Sequence, residues 1–202
     1  MANFYIGDLH FGHKNCLAFD NRPFDTIEDH DNGLIKAWND KVGIDDHVYI
    51  LGDVSWYGAQ HTIELFNQLN GKKHLIVGNH DKKLLRNADF RKLFVEIEKS
   101  DVIEDNGRKV VLTHFPMSSY DYQYHGGYQL YAHVHVSFQW NIQMRVDREV
   151  AALLEKEIRS YNVGCMVPYM HWAPCTLDEI IEGGSKFYAS NELFEGEPKN
   201  NP

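Results

Sequence analysis

Two rhythms of apolar and polar positions run along the chain, and the switches between them mark its elements. Residues 3–7 enter a strand at once, and a loop follows as far as Pro23. Over residues 26–39, Ile27, Leu34, Ile35 and Trp38 fall on one face at helical spacing, with Asp25 as N-cap and Glu28 completing a capping box. Residues 47–51 read as a second strand, and residues 59–70 as a helix with Ile63, Phe66 and Leu69 inward and Gly71 as its terminator. A third strand over 73–77 precedes a short helical stretch over 82–94. Residues 101–105 and 108–113 flank Asn106-Gly107, the signal of a type I′ hairpin. A strand over 128–135, a helix over 147–159 with Val150, Leu153, Leu154 and Ile158 on one side, a late strand over 162–167 and a short helix or turn over 176–181 complete the pattern. From Gly183 the sequence turns polar and aperiodic, which predicts a tail over 183–202.

Early βα alternation followed by a hairpin implies a layered α/β protein, parallel at its core and antiparallel at its margin. No repeat or linker divides it, so a single domain over 1–182 is expected, with 137–160 as an individual insertion carrying a helix. That helix could cover a crevice or form an interface, but packing as an ordinary surface helix is favoured. The 202 residues, 43% hydrophobic and 24% charged, suffice for a core without disulfides and exclude wholesale disorder. A net charge of −9 is a poor match to a general nucleic-acid or membrane-surface binder. No apolar run approaches the roughly 18 residues of a membrane span, and the start lacks the pattern of a secretory signal. Three distant cysteines, Cys16, Cys165 and Cys175, fit free thiols in a reducing cytoplasm.

The anomaly is histidine, with 12 in the chain. Five expected strand ends or turns carry metal-competent side chains: Asp8 and His10, Asp53, Asn79 with His80 and Asp81, His114, and His133 with His135. Ligands of open α/β sheets gather outside the carboxyl ends of strands, so these sites can converge. In extended backbone, positions i and i+2 share a face, which would aim Asp8 with His10, and His133 with His135, at common points. Glycines before Asp8, Asp53 and Asn79 permit tight turns there. Mixed oxygen and nitrogen donors suit manganese, iron, zinc or nickel. Seven donors exceed the needs of one ion but suit two ions sharing a carboxylate. With a bridging hydroxide such a centre carries roughly +1, which favours a small anion such as phosphate.

The ordered set Asp8-x-His10, Gly52-Asp53, Gly78-Asn79-His80-Asp81, His114 and His133-x-His135 resembles the calcineurin-like metallophosphoesterase superfamily over residues 7–135. The resemblance implies a four-layer αββα sandwich of mixed sheets. It implies two divalent cations, manganese first, with Asp8, His10 and His135 on one, Asn79, His114 and His133 on the other, and Asp53 bridging. It also implies His80 as the catalytic residue facing substrate, and metal-bound hydroxide attacking phosphorus. Two departures stand out. Ala132 replaces the family's usual glycine before the last His-x-His, and Trp56-Tyr57-Gly58 stands where protein serine/threonine phosphatases carry Asp-Arg-Gly. The short chain is similar to the small bacterial or phage-type phosphoesterases.

Around this set, His13, Lys14 and Arg22 are candidate substrate contacts, and Asp81 could orient His80 or a ligand from behind, or cap the following helix. His125, among Tyr120, Tyr122, Tyr124, Tyr128 and Tyr131, could belong to a substrate lip; His30, His47, His61 and His74 read as structural. The expected function is a cytoplasmic hydrolase of a small phosphodiester or nucleotide-like phosphoester, with no membrane partner. A phosphomonoesterase on the same site is the alternative. A nuclease is disfavoured by the charge, and a non-catalytic protein-interaction scaffold by the complete donor set.

Overall fold

The computed structural model describes residues 1–190 as an α/β protein with two four-stranded sheets. The first sheet holds β1 (Asn3–Ile6), β2 (His47–Ile50), β3 (Lys72–Ile76) and β4 (Phe94–Glu98), in that order and all parallel. Its crossovers carry α1 (Cys16–Phe19), α2 (Ile27–Lys41), α3 (Ala59–Phe66) and α4 (Ala88–Arg91). The second holds β5 (Ser100–Asp105), β6 (Arg108–Thr113), β7 (Tyr128–Tyr131) and β8 (Ser160–Asn162). Only β5 and β6 pair antiparallel there. Helix α5 (Phe138–Leu153) links β7 to β8, and α6 (Leu177–Ser190) follows.

A parallel sheet needs cover on both faces. On one face, Phe4, Ile6, Val48, Ile50 and Leu75 share a core with Leu34 and Trp38 of α2, Leu65 and Phe66 of α3, and Phe90 of α4. Tyr5, Leu51 and Ile76 belong instead to a second core with Val110, Leu112 and Leu130 of the second sheet and Trp140, Met144, Ile180 and Phe187 of α5 and α6. Strand β1 thus divides its side chains between two cores at a period of two. The Tyr5 hydroxyl donates to Asp105 Oδ2 at 2.8 Å, linking the sheets.

Several boundaries differ from expectation for identifiable reasons. Thr26, not Asp25, caps α2: its Oγ1 accepts from the Asp29 N–H at 3.1 Å and its hydroxyl donates to Asp29 Oδ2 at 2.7 Å. The same capping spacing exists one residue earlier, at Asp25 and Glu28, so the pattern alone was degenerate. Residues 82–94 divide into a 3₁₀ turn over Leu84–Arg86, helix α4 and the start of β4. Asn87 separates the first two, its Oδ1 accepting from the Asp89 and Phe90 N–H groups. The hairpin matches expectation, with Asn106 at φ 49° and Gly107 at φ 77°.

The helix expected over 147–159 is α5, nine residues earlier at its start, and the strand expected over 128–135 stops at Tyr131. Asp147 occupies a buried position on the same face as Trp140 and Met144, so the periodicity was interrupted by a carboxylate inside the core. Trp140 and Met144 are fully buried while Phe138, Ile142 and Leu153 are exposed, so α5 packs one face on the core as a surface helix does. Helix α6 runs on through Ser190 where a polar tail was expected from Gly183. Gly183-Gly184 reads as a breaker, yet Gly184 serves packing: a Cβ there would lie 2.5 Å from Tyr161 Cδ1. The remainder of the expected tail, 191–202, lies outside the described residues.

Candidate metal centre

The donors gather beyond the carboxyl ends of β1, β2, β3, β6 and β7, but not by extended-strand geometry. Asp8, His10, Asp53 and His133 all have left-handed backbone, with φ of 51°, 52°, 54° and 68°. Each such residue costs about 1–3 kcal/mol, a strain that clusters at functional sites. Inter-loop bonds hold these kinks: the Asp8 N–H donates to Gly52 O at 3.1 Å and the His10 N–H to Asp53 O at 3.0 Å. Gly52 (φ 81°) makes the approach feasible, because a Cβ there would meet Gly78 and His114 Nδ1 at 2.6 Å. The kinks also separate His133 from His135, which the extended reading aimed at one point.

Two donor clusters result. Asp8, His10 and His135 form the first, and Asp53, His114 and His133 the second, with the donor atoms of each within 4.8 Å of one another. Asn79 joins the second, its Oδ1 lying 2.9 Å from His114 Nε2. Asp53 faces both ways: Oδ1 is 3.6 Å from His114 Nε2, while Oδ2 is 3.9 Å from His10 Nε2.

The polar groups fit a cation. Asp8 Oδ1 and His10 Nε2 are buried with no hydrogen-bond partner, a costly state for polar atoms. His114 Nδ1 lies 2.7 Å from the Leu51 carbonyl and must donate to it, which in the neutral ring leaves Nε2 an acceptor facing the Asn79 oxygen. Burial holds His114 below its ordinary pKa, favouring that neutral form. Two facing acceptors 2.9 Å apart repel. Both acceptors turned toward one cation would exchange that repulsion for attraction. Burial likewise pushes Asp8 up to about 7 and His133 down to about 4. A cation would reverse the penalty on the carboxylate and draw on neutral imidazole.

Behind the first cluster lies a network the sequence reading did not assign. His135 Nδ1 donates to Asp20 at 2.9 Å, leaving Nε2 for the cluster. Asp20 in turn accepts from Arg22 Nε at 3.0 Å and Nη2 at 2.8 Å. Arg22 also donates to the Asp8 and Leu9 carbonyls and contacts His30 Nε2, while His30 Nδ1 contacts Asp31. Arg22 is therefore corrected: its side chain is fully enclosed, so it does not contact substrate. A guanidinium in a loop gives no local sign of which way it folds. Burial opposes protonation of His135, but Asp20 and Asp8 outweigh it and raise its pKa. For Asp20, burial is outweighed by His135 and Arg22, and its pKa falls.

Asp81 supports the second cluster as a tie between loops, accepting from the N–H groups of Asp53, Val54 and Gly78 at 2.8–3.1 Å. It neither orients His80 by a hydrogen bond nor coordinates. His80 donates its backbone N–H to Asp53 Oδ1, and its side chain is half exposed, with Nε2 3.9 Å from Asp53 Oδ2. His13 borders the first cluster, with Nδ1 3.1 Å from His10 Nδ1. Lys14 is exposed beside it. His125 is exposed in the 3₁₀ turn Gln123–His125 and is not among the donors of either cluster. Ala132 has an explanation in packing: a Cβ on Gly7 would lie 2.6 Å from the Ala132 methyl, so the pair shares space for one side chain.

The molecule is thus a two-sheet α/β protein with paired His/Asp clusters beyond its strand ends. It is 34% identical over 195 residues to the Uncharacterized protein MJ1445 of Methanocaldococcus jannaschii, covering 94% of this chain and 97% of the relative, and it belongs to the same family. Gene 66 protein of Mycobacterium phage L5 is 42% identical over 97 residues, 46% of each chain. The crystal structure of the protein of unknown function AQ665 from Aquifex aeolicus shares the fold, with a TM-score of 0.63 at 23% identity over 89% of this chain and 97% of that one. No protein-family model matches the chain. Among the described residues, no helix is long and apolar enough to cross a membrane.

Proposed function

We propose that this chain is a binuclear metal-dependent phosphoesterase of the calcineurin-like kind, acting on a small phosphodiester or nucleotide-like phosphoester. The observation that carries this reading is the orientation of Asp53, one oxygen toward each of two adjoining donor clusters. The four-layer αββα arrangement belongs to the same reading; it is supported by α2, α3 and α4 packing on the first sheet and by α5 and α6 joining the core of the second. Asp8, His10 and His135 would hold one divalent ion, Asn79, His114 and His133 the other, and Asp53 both. Manganese is the first choice, with iron, zinc or nickel as alternatives suited to these donors. When bound, such ions supply Lewis-acid neutralisation of phosphoryl charge and activation of water.

The chain's own residues define the remaining chemistry. Asp20 orients His135, Leu51 orients His114, and Asp81 holds the loops of Asp53 and Gly78 in register. His80, open to solvent beside Asp53, is positioned to bind a phosphoryl oxygen or to deliver a proton to the leaving group. The alternative phosphomonoesterase reading uses the same groups.

The test is Asp53→Asn, assayed on mono- and diester panels with each candidate metal, alongside elemental analysis of the purified protein. The expected result is a folded protein without metal-dependent turnover; full activity in this variant or in metal-stripped protein would overturn the mechanism. His80→Ala should harm esters with poor leaving groups more than activated ones, and equal losses would restrict His80 to binding.

A further inference from the structure

Three large apolar side chains stand partly in solvent around the donor clusters. Phe19 is 49% exposed, Trp56 39% and Phe115 50%. Each makes ring contact with a cluster histidine. Phe19 lies 5.4 Å from the His135 ring, Trp56 4.6 Å from His10, and Phe115 4.2 Å from His133 and 5.1 Å from His114. Trp56 is also 4.4 Å from His80, and His13 lies flat on it at 3.9 Å with an interplanar angle of 1°. The indole is therefore held in place, not left to sample solvent. The three rings come from different parts of the chain, at the end of α1, in the loop after β2 and immediately after β6.

We infer that Phe19, Trp56 and Phe115 form a stacking subsite for the planar base of a nucleoside phosphate whose phosphoryl group is held at the two donor clusters. The inference rests on the phosphoesterase reading above and names the substituent that site would recognise. A phosphoryl group seated between the clusters must direct its ester substituent outward, past these rings. Aromatic faces reward a flat π-system and offer no hydrogen bonds to a bare sugar or glycerol. Base stacking on aromatic side chains is strong and tolerant of base identity. The net charge of −9 argues for a ligand with few phosphates.

The experiment titrates manganese-loaded protein by calorimetry with adenosine 5′-monophosphate and, separately, ribose 5-phosphate, which has a hydroxyl in place of the base. The nucleotide should bind at least about tenfold more tightly, the size of one base–aromatic stack. Trp56→Ala and Phe115→Ala, each assayed at saturating manganese, should lower nucleotide affinity about tenfold more than they lower affinity for ribose 5-phosphate. Phe115→Leu, which keeps bulk without a ring, should behave like Phe115→Ala. Equal affinities for the two ligands, or equal losses on both in the variants, would overturn the subsite. A short single-stranded oligonucleotide in the same assay separates the two sources of this chemistry. Tighter, salt-sensitive binding would assign a strand end and weaker binding a free nucleotide, and either keeps the subsite. Base-selective binding without hydrolysis of any phosphoester would overturn the phosphoesterase reading and leave the subsite standing. Hydrolysis without base preference would do the reverse, and failure to bind manganese would overturn both.

Discussion

Asp20 and Asp147 are both buried aspartates, yet their surroundings drive them in opposite directions. Asp20 accepts from the Arg22 guanidinium and from His135 Nδ1, and its pKa is lowered despite burial. Asp147 lies among neutral donors, accepting from the Tyr188 hydroxyl at 2.8 Å, Gln143 Nε2 at 3.0 Å and the Tyr131 hydroxyl at 3.3 Å. Burial dominates there and raises it to about 6. A cavity of about 20 Å³ bordered by Asp147, Met117, Ser118 and Tyr120 is room for about one water beside it. At Asp147 the neutral hydrogen bonds lower the pKa by less than burial raises it, whereas at Asp20 a guanidinium and His135 reverse the balance. The network behind the first donor cluster is thus built on an ion pair, whereas α5 uses a carboxylate as a polar packing element.

The sharpest way to break this comparison is Arg22→Met, which gives Asp20 an environment closer to that of Asp147. Removing one partner from a buried pair should destabilise the protein by about 3–5 kcal/mol, read from the denaturant midpoint of metal-free protein at pH 7. An unchanged midpoint would mean that Asp20 needs no cation.

Next in size is the pH response of Asp147. Its folded pKa, about 6, exceeds the ordinary 3.8, so between those values the folded state keeps a proton that the unfolded state has lost. Stability from this group is therefore full below about pH 4, falls as pH rises through the window, and is gone above about pH 6, a loss of roughly 3 kcal/mol. Denaturation curves of metal-stripped protein from pH 4 to 7 should fall by that much more for the native chain than for Asp147→Asn. Parallel curves would place the titration elsewhere. Asp20 has the opposite sign: its contribution is present above pH 4 and disappears as pH falls through its depressed folded pKa.

Asp20→Asn tests the ligand side. It should weaken one of two metal equivalents by about 10–100-fold and spare the other, since only His135 is oriented by Asp20. Equal weakening of both in a two-site titration would show that the clusters are not independent. Smallest is the pH-dependent part of the Tyr188→Phe effect, a change that removes one donor to Asp147. The cost should be about 1.5–3 kcal/mol at pH 8, where the carboxylate is charged, and about 1 kcal/mol at pH 5. Unfolding at the two pH values measures the difference.

The chemistry of the candidate site was legible in the sequence because donor type and order are local facts. Asp8, His10, Asp53, Asn79, His114, His133 and His135 follow expected strand ends, and the structure gathers all seven. The supporting residues were not legible. Asp20 meets His135 across 115 positions and Asp8 accepts from the His133 N–H across 125, and no local spacing encodes such pairs. Arg22 was assigned outward and folds inward for the same reason. The onset of α5 was obscured because Asp147, a core residue, carries the label of a surface one.

What the sequence by itself determined is the set of metal-competent donors, the hairpin at Asn106-Gly107 and the apolar faces of the early helices. These depend on side-chain chemistry and on periodicity over a few residues. The resemblance already implied separate sides for His133 and His135 with Asp53 between them; only the tertiary structure showed the backbone that achieves this and that Arg22 is enclosed behind the site. That separation depends on left-handed backbone at Asp8, His10, Asp53 and His133, which no single residue type prescribes. Packed loops from both sheets over-determine those conformations together.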